Sequence, residues 1–118
     1  MHDEATSPRT LWLIAALSAA IAVAAGAFGA HGAATPKAAE WLRTGGLYQM
    51  VHAVAAIAIA RHFPRSAALL LAGAAIFALT LYAMALGAPR WFGAITPIGG
   101  TLMIAGWLAM AWSVVRQK

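Results

Sequence analysis

Hydrophobic positions fill this chain in four long blocks, and its charges stand only between and beyond them. Residues 11–30, 44–60, 66–88 and 91–115 contain no Asp, Glu, Lys or Arg. An apolar helix needs about 20 residues to cross a bilayer, with a range of roughly 17–25. Three blocks meet that length comfortably and the second is marginal. The pattern predicts an all-α integral membrane four-helix bundle. Its spans fall at about 11–28, 44–60, 67–86 and 96–115, within a single transmembrane domain over residues 1–118.

Start and stop signals sharpen these bounds. Ser7-Pro8, Thr35-Pro36 and Thr96-Pro97 each combine a capping hydroxyl with a proline suited to a first helical position. Ser66 is the expected cap of span 3, after Pro64 has stopped the preceding helix. Gly26-Ala27-Phe28-Gly29-Ala30-His31-Gly32 closes span 1, and Gly87 with Pro89 closes span 3. Residues 37–43 form a short additional helix or a helix extension between spans 1 and 2. Gly45, Gly46, Gln49 and His52 all disfavour span 2 in isolation, so a re-entrant segment is its alternative. The run ending in Ala22-Val23-Ala24 also resembles a signal peptide, but it continues to Ala30, past the usual 7–15-residue core.

Composition adds three constraints. Of 118 residues 63% are hydrophobic and 9% charged, where an ordinary soluble domain is roughly a quarter charged. There is no cysteine, which removes disulfides, thiolate metal sites and cysteine nucleophiles. The net charge of +5 comes from basic residues scattered over span ends, a flanking pattern rather than a nucleic-acid surface. Arg9, Arg61, Arg65, Arg116 and Lys118 share one side of a four-span topology, against Lys37, Arg43 and Arg90 on the other. The positive-inside rule then favours both termini in the cytoplasm. The 32 alanines favour close helix approach, as in Ala22-xxx-Gly26 and Ala74-xxx-Ala78.

The candidate chemistry lies in one polar face. Tyr48, Gln49 and His52 stand three and four residues apart, on one side of a helix. Lipid cannot hydrogen-bond such groups, so they turn toward protein, a ligand or trapped water. His52 lies about 12 Å from Thr44 by helix rise, near the midplane. Thr80, Tyr82, Thr96 and Thr101 reach the same outer half from spans 3 and 4, and His31 closes span 1 there. The inner half, with Ile14, Leu17, Leu69, Leu70 and Leu108, is apolar. His2 and His62 are expected in solvent, and Trp91, Trp107 and Trp112 in interface belts or packing.

Three segments together resemble the DUF423 family of small bacterial membrane proteins, related to eukaryotic transmembrane protein 256. They are the Gly26–Gly32 segment with its Gly29, then Thr44-Gly45 with Tyr48-Gln49-xx-His52, and Ile95-Thr96-Pro97-Ile98-Gly99-Gly100 with Gly106-Trp107. Their order and spacing cover about residues 11–115. Where the family often has Ser-Gly-Ser-Leu-Tyr in the third span, this chain reads Ala78-Leu79-Thr80-Leu81-Tyr82, so the small polar packing before Tyr82 is altered. The resemblance implies a four-span inner-membrane protein and no activity.

Four function classes follow. A non-enzymatic accessory or structural protein fits the small size, the short loops and the lack of a catalytic constellation. A small transporter or channel would use the outer polar cluster as a vestibule, although Asp3, Glu4 and Glu40 all lie outside the spans. A haem, metal or quinone site would need His31 and His52, which depth separates by roughly 12 Å; no cofactor or adjacent metal-ligand cluster is predicted. An enzyme would need paired carboxylates, a nucleophile elbow or a phosphate loop, and none is present. The expected partners are the lipid bilayer and a membrane protein or second copy, with no nucleic acid.

Overall fold

The computed structural model describes residues 4–117. His2, Asp3 and Lys118, read above as polar ends, lie outside them. Four long helices follow one another: α1 (Pro8–His31), α2 (Pro36–Ile59), α3 (Pro64–Ala85) and α4 (Thr96–Arg116). Short 3-10 turns precede α1 (Glu4–Thr6) and α4 (Arg90–Ala94), and no strand occurs among the described residues.

Two of the expected caps form. Ser7 Oγ accepts the Thr10 N–H at 3.2 Å, and Thr35 Oγ1 accepts the Ala38 N–H at 3.0 Å. Two do not. α3 begins at Pro64, two residues before Ser66, so Ser66 is buried in the first turn and no side chain caps the helix. α4 begins at Thr96, whose hydroxyl is spent on α3 and leaves this end without a side-chain cap. Gly32 caps α1 by donating its N–H to Phe28 O at 2.7 Å, so the helix runs on to His31. Gly87 takes φ +109°, a left-handed conformation suited to glycine, just past the end of α3.

The segment before span 2 is a helix extension. α2 is one unbroken helix of 24 residues, about 36 Å long, and nothing in it turns back. Gly45 and Gly46 mark contacts rather than breaks. A Cβ on Gly45 would meet the Tyr82 ring at 2.7 Å, and one on Gly46 would meet Ala22 O at 3.2 Å. The Ala22-xxx-Gly26 and Ala74-xxx-Ala78 pairs are thus used within the chain, with Ala22, Ala74 and Ala78 all buried.

Helices adjacent in sequence pack against one another, and α3 is the central element. α1 and α4 do not pack together, so the four helices form an open arrangement rather than a closed ring. The α3–α4 crossing is the tightest. A Cβ on Gly73 would lie 2.7 Å from Gly99 O, and one on Gly106 would lie 2.8 Å from Leu70 Cδ2. The core is built from small residues. Ala15, Ala56, Ala60 and Ala67 surround Leu11 and Leu71 at the end holding the termini, and Ala25 and Ala78 flank Leu42 and Tyr82 at the other. Of the large residues expected in the inner half, Leu70 is fully buried, while Ile14, Leu17 and Leu108 face outward.

The outer surface is apolar: Leu13, Val23, Leu47, Ile104 and Leu108 are each at least 60% exposed. Pro8–His31, Pro64–Ala85 and Arg90–Arg116 are long and apolar enough to cross a membrane. α2 has the length but not the composition: Lys37, Glu40 and Arg43 occupy its first turns, and Gln49 and His52 dilute the apolar remainder.

Candidate functional site

The register of α2 decides what its polar face can do. Its side facing α3 carries Gly45, Gln49, His52 and Ala56, all buried. Tyr48 lies at the edge of that face and is 43% exposed. The three polar residues expected on one face therefore divide into two buried groups and one rim aromatic.

Each buried group bonds to a different helix. Tyr82 on α3 donates its hydroxyl to Gln49 Oε1 at 2.7 Å. Trp107 on α4 donates its indole N–H to His52 Nε2 at 3.1 Å, with the rings edge to face at 5.8 Å. His52 Nδ1 lies 2.7 Å from the Tyr48 carbonyl, one turn back. A carbonyl only accepts and an indole N–H only donates. Nδ1 therefore carries the proton and Nε2 offers its lone pair to Trp107. Both ring nitrogens are committed inside the protein.

Thr80 and Thr96 make a second link, with hydroxyls 2.6 Å apart between α3 and the start of α4. Thr80 also reaches the Ile76 and Phe77 carbonyls at 2.9 and 3.0 Å. No fully buried side-chain nitrogen or oxygen among the described residues lacks a hydrogen bond. Burying such groups unpaired is expensive, and here α2, α3 and α4 satisfy one another.

Two candidates stand apart. Thr101 is exposed and bonds only to Pro97 O of its own helix, at 2.9 Å. His31 is exposed at the end of α1. Gly29 abuts Leu42, so His31 stands above that level and roughly 15 Å or more along the axis from His52. No shared ligand joins two histidines at that spacing. Among the described residues no three His, Cys, Asp or Glu side chains come together.

Three participants were not legible as such in the sequence. Trp107 is a hydrogen-bond partner of His52, not only a belt or packing residue. Phe77 packs on the Tyr48 ring at 4.7 Å, and an apolar residue within an apolar helix gives no signal of that. At the end holding the termini, Trp12 donates its N–H to Ile57 O at 3.2 Å, and the Arg61 guanidinium lies over its ring at 5.1 Å. Of the motif glycines, Gly29, Gly99 and Gly106 sit at helix contacts, Gly32 is a cap, and Gly26 lies with its backbone against Gly46 while a Cβ on it would enter open space. Pro97 occupies the first turn of α4.

Beside the polar links runs a groove of about 450 Å³, lined by Tyr48, His52, Phe77, Gly100, Met103, Ile104 and Trp107. It opens between α2 and α4 on the outer surface.

The family described as "Protein of unknown function (DUF423)" has a model that matches residues 25–100. A UPF0382 membrane protein of Haemophilus influenzae is 40% identical over 115 residues, covering 89% of this chain and 93% of its own. The UPF0382 inner membrane protein YgdD of Escherichia coli is 36% identical over 121 residues, covering 93% and 92%. A UPF0382 membrane protein of Schizosaccharomyces pombe is 33% identical over 115 residues, covering 86% and 98%. No solved structure matches the chain.

Proposed function

We propose that this chain, which belongs to the DUF423 family, is a non-enzymatic accessory or structural protein of the inner membrane that crosses it four times. One observation carries this reading: Gln49, His52, Thr80 and Thr96, the buried polar groups of the cluster, are spent on bonds between α2, α3 and α4. General acid–base work and ion carriage both require a lone pair or proton offered to something outside the fold. His52 offers neither, because Trp107 and the Tyr48 carbonyl hold its two nitrogens. Gln49 and Tyr82 hold each other, as do Thr80 and Thr96. Such bonds lock helices together where lipid supplies no competing partner.

The crossing of α2 is supported by its unbroken length, about 36 Å against a hydrocarbon core of roughly 30 Å. Its charges fall in the first eight positions, within about 11 Å of its start, where they reach headgroups. Arg9, Arg61, Arg65 and Arg116 stand at the end where α1 and α3 begin and α2 and α4 finish, which supports cytoplasmic termini. α1 supports an accessory role, since it packs on only one side and presents Leu13, Leu17, Ile21 and Val23 outward.

Native mass spectrometry of the protein extracted from its own host in mild detergent tests the role. A second polypeptide bound in a fixed ratio is the expected result. A bare monomer or a pure homo-oligomer would overturn the accessory reading.

A further inference from the structure

The Tyr48 hydroxyl differs from the groups around it. It makes no hydrogen bond to any described residue, although its ring is fixed against Phe77 at 4.7 Å and lies parallel to the His52 ring at 6.2 Å. Tyr48 is the thirteenth of the 24 residues of α2, about 18 Å from its start and about 17 Å from its end. In the crossing proposed above, on which this inference rests, that depth is hydrocarbon. A phenol there needs a partner that lipid tails cannot supply.

Gly100 is the second observation. Gly73, Gly99 and Gly106 are explained by backbone or side-chain contact at the α3–α4 crossing. Gly100 is not, since a Cβ there would find its nearest neighbour, a Phe77 ring carbon, 4.0 Å away. Its missing side chain leaves room in the 450 Å³ groove that Tyr48 borders. That volume lies within the range of small-molecule sites. The walls are the rings of Phe77, His52 and Trp107 with Met103 and Ile104, and no charged residue lines them.

We propose that this groove binds the headgroup of a membrane-soluble quinone, with Tyr48 donating a hydrogen bond to a ring carbonyl. Aromatic walls and a methionine select a flat, neutral ring. The one free hydroxyl of the groove can donate to a carbonyl oxygen, which a ring of this kind presents. An acyl chain matches the walls but has no acceptor at this depth, because its ester carbonyls lie at the interface. A quinone ring carries its carbonyls into the hydrocarbon layer. His52 is a wall of this site and not a ligand, since both its nitrogens are occupied.

The test is decylubiquinone titrated into the protein in phosphatidylcholine vesicles, followed by quenching of tryptophan fluorescence, because Trp107 borders the groove. Saturable quenching is expected. Gly100→Leu should abolish the saturable part by filling the groove. Tyr48→Phe, which keeps the ring in place, should weaken Kd about tenfold, equivalent to about 1.4 kcal/mol. Quenching that never saturates, or a Tyr48→Phe variant that binds like the parent, would overturn the site. Cysteine labelling of the loops reports the crossing of α2 separately, so a lost site and a lost crossing are distinguishable.

Discussion

A tryptophan and a histidine 55 residues apart settle each other's chemistry here, and the bond between them is open to direct measurement. Trp107→Phe keeps an aromatic ring and removes the N–H, leaving His52 Nε2 without its donor. A loss of about 1–2 kcal/mol is expected in reversible unfolding followed by circular dichroism. His52→Leu should cost a similar amount, because it frees both the indole N–H and the Tyr48 carbonyl. The double variant should then show a coupling of about 0.6–2 kcal/mol. Strict additivity would mean that the two groups do not bond. Tyr82→Phe offers a parallel case, since it strands Gln49 Oε1 in a buried position. Five of the six side chains in the three inter-helix bonds were legible beforehand. Polar side chains in an apolar run must find partners, so Gln49, His52, Thr80, Tyr82 and Thr96 declared themselves. Trp107 did not, because an indole near a bilayer reads equally well as an interface anchor.

Elements meet through glycine, and the glycines divide by what a methyl group would strike. Gly99→Ala would drive a Cβ into the backbone of Phe77 and Gly73, neither of which is a flexible side-chain end. The α3–α4 crossing must open to admit it, at an expected cost of about 1–3 kcal/mol or more. Gly26→Ala meets nothing within 4 Å and should change stability by less than about 1 kcal/mol. Equal effects at the two positions would show that the α3–α4 crossing is not the close contact described. The same contrast explains what could be read from the chain. Ser7-Pro8 and Thr35-Pro36 act locally and were readable as starts. Gly45 and Gly46 looked like interruptions because only the tertiary contact with Tyr82 and Ala22 gives them a purpose. The Ser66 and Thr96 hydroxyls looked like caps for a similar reason: Ser66 is buried inside the first turn of α3, and Thr96 faces Thr80. The 3-10 turn Arg90–Ala94 was hidden in an apolar run.

At the scale of the molecule, the two ends differ in charge, and that difference makes the topology testable. The end where α1 begins gathers Arg9, Arg61, Arg65 and Arg116, with Arg61 held over the Trp12 ring. The opposite end carries Lys37, Arg43 and Arg90, and Lys37 is paired with Glu40 at 3.4 Å. Among the described residues Lys and Arg number four where the termini lie against three at the other end, the bias on which the proposed cytoplasmic termini rest. Because the chain contains no cysteine, single substitutions report one loop each without background. Ala34→Cys and Ala88→Cys probe the loops before α2 and before α4, and His62→Cys probes the loop between α2 and α3. A maleimide that cannot cross the inner membrane, applied to spheroplasts, should label the first two and spare the third until the cells are broken. Labelling of the third alone would invert the orientation. Equal labelling at positions 34 and 62 would mean that α2 does not cross. That result would place Tyr48, Gln49 and His52 at a surface, where water competes for each of the bonds described above, and would remove the physical reason for their pairing.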